Sequence, residues 1–286
     1  MQVPASFQYQ KATSVEHAIS LLAQYGSESM VVAGGHSLLP MMKLRLAHPE
    51  ALIDINDLTD LAEIRVDGAE LRIGALVRHA ELLSSPTAGR IAPILHDAER
   101  VIADPIVRNR GTVGGSLCQA DPSEDLSAVF AALRAHLVVR GPDGERSIAA
   151  RDFFAGPYQT ALAHGELLLE IRVPVREPAS AYEKVDRRAG DWAVGAAGAV
   201  LEIKDGTVAQ AGIGLTALGA KGFVAEEAED FLRGGPASDE RFTEAGRIAA
   251  ERCRPSADQR GPVDYKRHLA GELATRALRR AAAMAA

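Results

Sequence analysis

Two glycine pairs limit what this chain can fold into more than any other feature. In the first, Val31-Val32-Ala33-Gly34-Gly35-His36-Ser37, an apolar strand runs straight into two glycines. Glycine adopts positive φ at no steric cost, so the backbone can turn sharply there and present several N–H groups to an anion such as a pyrophosphate. The second, Gly111-Thr112-Val113-Gly114-Gly115-Ser116, has the same character and adds the Thr112 and Ser116 hydroxyls as partners for phosphate oxygens. Two nests of this kind facing each other would hold both phosphates of a dinucleotide. Neither has the G-x-G-x-x-G spacing of a Rossmann unit, and G-x-x-x-x-G-K-[ST] does not occur, so a P-loop nucleotide hydrolase is not indicated. Taken singly, each segment also reads as an ordinary turn that needs positive φ.

The pattern around the two segments predicts an α+β protein. Thr13-Ser14-Val15-Glu16 has capping-box spacing, and Val15, Ala18, Ile19 and Leu22 follow on one face, predicting a helix to about Tyr25 that ends at Gly26. Apolar strands at 30–33 and 52–55 complete a small alternating α/β unit. A strand-rich unit follows, opening with a hairpin across Asp67-Gly68 between strands 63–66 and 70–73. Helices are predicted near 79–83, 88–102 and 125–134, and strands near 137–140 and 167–173. Pro174 and Pro178 mark a boundary. Beyond it, strands at 181–185, 193–203 and 208–215, the last two joined across Asp205-Gly206, precede helices that run to the end.

Composition narrows the chemistry. Only two cysteines are present, Cys118 and Cys253, too few for an iron-sulfur cluster or a Cys-rich zinc site, so any metal redox centre must sit on another chain. The eight histidines form no H-E-x-x-H or similar ligand pair, and no metal site is predicted. Lys and Arg are dispersed and the formal net charge is −6, which argues against a nucleic-acid partner. Arg276, Arg279 and Arg280 read as the solvated last turn of a helix. There is no apolar run of about 18 residues and no secretory pattern at Met1–Gln10, so the expected location is the cytoplasm. Asp125 stands where a helix should start. It can accept hydrogen bonds from sugar or ribityl hydroxyls, or serve simply as a helix N-terminal acid.

The segments AGGHSLLPMMKLRLA (33–47) and IADPIVRNRGTVGGSLCQADPSED (102–125) resemble the flavoprotein subunits of molybdenum hydroxylases, the xanthine oxidase family. GELLLEIRVP (165–174), AYEKVDRRAGDWA (181–193) and SADQRGPVDYKRHLAG (256–271) extend the resemblance through most of the chain at similar spacings. Within that family the chain looks most like the medium chains of aerobic carbon monoxide dehydrogenases. The resemblance implies a two-subdomain FAD-binding fold of the vanillyl-alcohol-oxidase (PCMH) type over residues 1–176, divided at about 58/59. A smaller α+β domain, similar to the carbon monoxide dehydrogenase flavoprotein C-terminal domain, would occupy 177–286, which agrees with the boundary at Pro174 and Pro178.

By the same matching, Ala33, Gly34, Gly35, His36 and Ser37, with Thr112, Gly114, Gly115 and Ser116, are expected to hold the FAD pyrophosphate. Asp125 would bind ribityl hydroxyls, Ile102 would pack on the adenine, and Leu168 and Lys184 would lie near the isoalloxazine, where a cation favours the anionic reduced flavin. Two departures stand out: Ser116 replaces the Asn of many relatives, and Trp192 replaces a Tyr. Trp192 is expected to shield one flavin face and to hinder nicotinamide stacking, although a lone Trp also fits a core or interface role.

No general acid or nucleophile is expected on this chain, because the chemistry the resemblance implies is electron transfer. Substrate would be oxidised at a molybdenum cofactor on a large subunit. Two [2Fe-2S] clusters on a small subunit would then feed FAD here, and a quinone would take the electrons. A dimer of heterotrimers is expected, in the cytoplasm and in contact with the inner face of the membrane through its partners. The Cys-bearing insertion of relatives that carry a further cluster in this subunit is absent. Carbon monoxide is the expected substrate, with nicotine, caffeine, aldehyde and heterocycle hydroxylases as alternatives. A self-sufficient FAD-dependent reductase and a flavin-free scaffold subunit are competing readings of a different kind.

Overall fold

The computed structural model describes residues 3–176 and 179–285, so Pro178 lies outside the described residues. Strands β1 (Gln8–Lys11), β2 (Ser29–Val32) and β3 (Ala51–Asp54) pair in parallel in the order β1-β3-β2. Helix α1 (Val15–Tyr25) buries Ala18, Leu21 and Leu22 in a core shared with Ile53 of β3. The cap lies one residue later than the Thr13 spacing suggests: the Ser14 hydroxyl accepts from the His17 amide at 3.0 Å, while Thr13 turns to the His17 ring. Strand β1 escaped sequence reading because its polar, mostly exposed residues show no apolar alternation. The short helix α2 (Leu38–Lys43) follows the first glycine pair.

The second sheet is antiparallel and contains β4 (Ile64–Asp67), β5 (Glu70–Gly74), β6 (His136–Gly141), β7 (Gly144–Ala149) and β10 (Leu167–Pro174) in the order β4-β5-β10-β6-β7. Asp67 pairs with Glu70, so the first hairpin turns at Gly68-Ala69 rather than at Asp67-Gly68, with Gly68 at φ 59°. Between β5 and β6 run α3 (His79–Ser84), α4 (Pro86–Ile91), α5 (Pro93–Val101), α6 (Pro105–Arg108), α7 (Val113–Gln119) and α8 (Asp125–Ala132). The single helix expected over 88–102 is two, because Pro93 has no N–H to continue the ladder and opens a new first turn instead. Helix α9 (Ala150–Phe153) and a small ribbon, β8 (Phe154–Gly156) with β9 (Gln159–Thr160), lead back to β10.

The third sheet, β11 (Ser180–Val185), β12 (Gly195–Lys204) and β13 (Thr207–Thr216), is an antiparallel meander whose last turn has Asp205 and Gly206 both at positive φ, as expected for that dipeptide. Helices α10 (Glu226–Leu232), α11 (Asp239–Arg252) and α12 (Val263–Ala285) share its core. The three late arginines are not simply solvated. Arg276 pairs with Glu272 one turn back on the same helix, but Arg279 pairs with Asp239 of α11, and Arg280 reaches both Asp97 of α5 and Glu183 of β11, so these two tie the last helix to its neighbours.

Helix α8 joins the two halves. All eight of its residues are buried, and it lies directly on β13. A Cβ on Gly212 or Gly214 would sit 2.1 Å from the carbonyl oxygen of Ala132 or Ala128, so only glycine permits this approach. Beside it, Glu229 of α10 is 1% exposed and accepts from Arg134, from Arg151 and from the Ile213 amide. The expected α+β class and the order of its parts agree with this architecture. No helix among the described residues is long and apolar enough to cross a membrane.

Candidate FAD site

The first glycine loop, the second glycine segment, the start of α8 and strands β10 and β11 enclose a cavity of about 590 Å³, within the usual range for small-molecule and cofactor sites. The loop after β2 is free to act on a ligand. The amides of Gly34, Gly35, His36 and Ser37 donate to no acceptor among the described residues. Unpaired donors of this kind call for an anion or water. A Cβ on Gly34 would stand 2.4 Å from the Arg110 carbonyl oxygen and 2.7 Å from the Gly111 Cα, so the two glycine segments touch through backbone. Behind them, Arg78 donates to Asn56 Oδ1 at 2.8 Å and to the Arg110 carbonyl, while Asn56 donates to the Ala33 carbonyl at 2.8 Å. Arg78 and Asn56 thus clamp one segment to the other, a role that sequence reading missed.

The second segment is not a nest. Residues 113–119 form helix α7, with Thr112 as N-cap; its hydroxyl accepts from the Gly115 amide at 3.1 Å. The Val113, Gly114 and Ser116 amides are spent on Val77, Ala75 and Thr112 carbonyls. What this segment offers the cavity is therefore hydroxyl groups and a close-packed glycine surface rather than a row of free N–H groups. The helix was hidden because two glycines in a first turn oppose helix formation by propensity, and tertiary packing on Ala75 overrides that preference.

Ser116 belongs to a buried chain of polar groups. Its Oγ lies 3.0 Å from His79 Nε2, and His79 Nδ1 lies 3.0 Å from both carboxylate oxygens of Glu99. His79 is 2% exposed and Glu99 is wholly buried. Burial works against protonation of His79, but the charge and hydrogen bond of Glu99 more than offset it and hold the imidazole above the ordinary histidine range. Neither residue was predicted. A signal existed: Glu99 shares the buried face of α5 with Ile94, Leu95 and Ala98, where a lone carboxylate needs a partner.

At the far side, Asp125 opens α8. Its Oδ1 accepts from the Tyr182 hydroxyl at 2.7 Å and its Oδ2 from Lys184 Nζ at 2.8 Å. Lys184 also donates to the Val101 carbonyl at 3.1 Å, and its side chain is 3% exposed. It is therefore neither a surface lysine nor a lone cation, because Asp125 offsets its charge. The helix cap is Glu124, whose carboxylate accepts from the Leu126 and Ser127 amides. Burial pushes Glu124 up to about 7.

Ile102 is held at the cavity wall by Arg108, which donates to the carbonyls of Ile102 and Ala103 at 2.7 and 3.0 Å. Leu168 is buried at a bulge in the β10–β6 pairing. Trp192, 44% exposed, borders the cavity on the segment between β11 and β12, beside Asp191, which takes its amide hydrogen bond. All fourteen residues singled out from the sequence, from Ala33 to Trp192, line this one cavity. Cys118 also lines it, with an exposed thiol.

Residues 5–176 match the FAD binding domain in molybdopterin dehydrogenase, and residues 180–281 match the CO dehydrogenase flavoprotein C-terminal domain. The chain belongs to the FAD-binding subunits of molybdopterin dehydrogenases. It is 42% identical to the carbon monoxide dehydrogenase medium chain of Hydrogenophaga pseudoflava over 96% of this chain and 97% of that one. To the medium chain of Afipia carboxidovorans it is 40% identical, over 99% of each. A solved carbon monoxide dehydrogenase from Hydrogenophaga pseudoflava superposes with a TM-score of 0.95 at 43% identity, covering 99% of each chain. This family of oxidoreductase subunits accounts for the FAD-binding domain and the companion domain, as the resemblance implied.

Proposed function

We propose that this chain holds FAD in the cavity between its two glycine segments and serves as the electron-transfer subunit of an aerobic carbon monoxide-oxidising enzyme. The observation that carries the reading is the row of unpaired amides at Gly34 to Ser37, set backbone to backbone against the second glycine segment. These donors suit the pyrophosphate, with the Thr112 and Ser116 hydroxyls completing its surroundings. Asp125 accepts from the ribityl hydroxyls through the lone pairs that Tyr182 and Lys184 leave free. Ile102 packs on the adenine, and Leu168 and Lys184 flank the flavin ring. Trp192 covers one face of that ring, so that a nicotinamide cannot stack there. In this reading the cofactor domain covers 1–176, with subdomains 1–58 and 59–176, and its companion covers 177–286.

Bound FAD would supply the one- and two-electron chemistry needed to link a partner's iron-sulfur clusters with a quinone. The chain's own residues position and shield it. The large molybdenum subunit and the small subunit with two [2Fe-2S] clusters complete a dimer of heterotrimers, which meets the membrane's inner face through those partners. Carbon monoxide is favoured as substrate because both relatives described above are named carbon monoxide dehydrogenase medium chains.

The test is to purify the tagged chain from its native host with whatever accompanies it and to record the visible spectrum under nitrogen before and after adding carbon monoxide. Bleaching of flavin and iron-sulfur absorption, with two accompanying subunits, is the expected result. A flavin and iron-sulfur spectrum that carbon monoxide leaves unchanged would move the substrate to another molybdenum hydroxylase, and a colourless protein would refute the FAD reading.

A further inference from the structure

Behind the Ser116 hydroxyl the FAD site contains a buried acid–imidazole pair that the pyrophosphate reading does not use. Glu99, on α5, faces His79 Nδ1, and His79 Nε2 faces the hydroxyl of Ser116, the only member of the three that is more than marginally exposed and a lining residue of the cavity. The imidazole has no freedom to choose other partners, since its edge packs against Gly111: a Cβ there would lie 2.9 Å from His79 Cδ2.

The donor and acceptor inventory fixes what each protonation state does. With Glu99 ionised, His79 Nδ1 carries a hydrogen in either state. When Nε2 is also protonated it donates to Ser116 Oγ, and the hydroxyl hydrogen is left to point away from the ring, into the cavity. When Nε2 is bare it accepts that hydrogen, and Ser116 presents only lone pairs to the cavity. We infer that His79 is a positioning residue that switches Ser116 between hydrogen-bond donor and acceptor toward the FAD phosphates, so that FAD is held tightly when His79 is protonated and loosely when it is not.

The inference rests on the FAD reading and adds a regulator to it. The charged groups that face His79 reinforce protonation: Glu99 from α5 most directly, then Glu124 from the cap of α8 and Asp125 from its first turn. Burial holds Glu99 itself above the ordinary carboxylate range, against the charge and hydrogen bond of His79 and the charge of Arg108 of α6. Loss of the donor therefore falls above the ordinary histidine value. Glu124, which burial pushes up to about 7, also titrates above that value, so the test must separate the two groups.

The experiment is FAD release from the full-length chain, followed by the recovery of free-flavin fluorescence at pH 6 to 9, for the natural protein, for Ser116→Ala and for Ser116→Thr, each also in a Glu124→Gln background. The natural protein should lose affinity about tenfold across the titration of His79, the usual effect of losing one hydrogen bond to a charged acceptor. Ser116→Ala should bind FAD at the weaker level throughout, with that part of the pH dependence gone, and Ser116→Thr, which restores the hydroxyl, should bring it back. Calorimetry in buffers of different ionisation enthalpy should show proton uptake on FAD binding to the natural protein and less to Ser116→Ala. FAD binding with the same pH dependence in Ser116→Ala as in the natural protein, or with none in either, overturns the switch while leaving FAD as the ligand. No FAD binding at any pH overturns the underlying reading and the switch with it.

Discussion

Lys184 Nζ and Asp125 Oδ2 stand 2.8 Å apart with side chains only 3% and 5% exposed, so a strand of one domain and a helix of the other meet through a buried ion pair. Removing one partner from such a pair strands the other charge out of water, typically at a cost of about 3–5 kcal/mol. Lys184→Met and Asp125→Leu should each destabilise the chain on that scale in urea unfolding. The double variant should recover most of the loss, because two apolar groups need no partner. Additive losses would show that the two charges are not coupled.

Glu124 gives the stability a pH dependence of known sign. Its carboxyl titrates at about 7 in the folded chain against 4.5 as the ordinary value, because burial outweighs the hydrogen bonds from Ser127 and Leu126. The folded state then binds more protons than the unfolded state between those values, so stability should fall as pH rises from 4.5 through 7, by on the order of 3 kcal/mol from this group. Glu124→Gln should flatten that part of the profile in the FAD-free chain. Equal slopes in variant and natural protein would exclude Glu124 as its source.

Gly34→Ala tests the backbone contact between the glycine segments. The added methyl would meet the Arg110 carbonyl oxygen at 2.4 Å, which the backbone must yield to by separating the segments. The flavin-to-protein ratio of the purified variant should drop at least about tenfold, the scale expected when one or more well-placed donors to an anion are lost. Full flavin content would place the phosphates elsewhere.

Glu229 is the shared acceptor of Arg134, Arg151 and the Ile213 amide. Glu229→Ala should cost about 3 kcal/mol or more in urea unfolding, because it leaves both guanidinium groups and the amide without their acceptor. Flavin content at low temperature should be nearly unchanged, since Glu229 does not line the cavity.

What could be read from the sequence was local. Helix α1 announced itself through the capping-box spacing at Thr13–Glu16, off by one residue from the Ser14 cap, and through Gly26, and the β12–β13 hairpin through Asp205-Gly206, since each signal lies within a few residues of its effect. The cavity lining was legible through family resemblance, as the glycine pairs, Asp125, Lys184 and Trp192 sit in contiguous motifs. Helix α7 was not, because its first turn is held by Ala75 and Val77 from another part of the chain. The His79–Glu99 pair was hidden for a similar reason: its members lie on different helices and meet only when α3 packs on α5.

The fit of α8 against Gly212 and Gly214 has a practical consequence for anyone cutting the gene. A fragment ending at residue 176 would strip one side of a helix with no polar face to show to water and would leave Asp125 without Tyr182 and Lys184. The FAD-binding half is thus not a cassette that can be moved to another scaffold alone; it travels with the meander that covers it, and homologous exchanges should be made across both or neither.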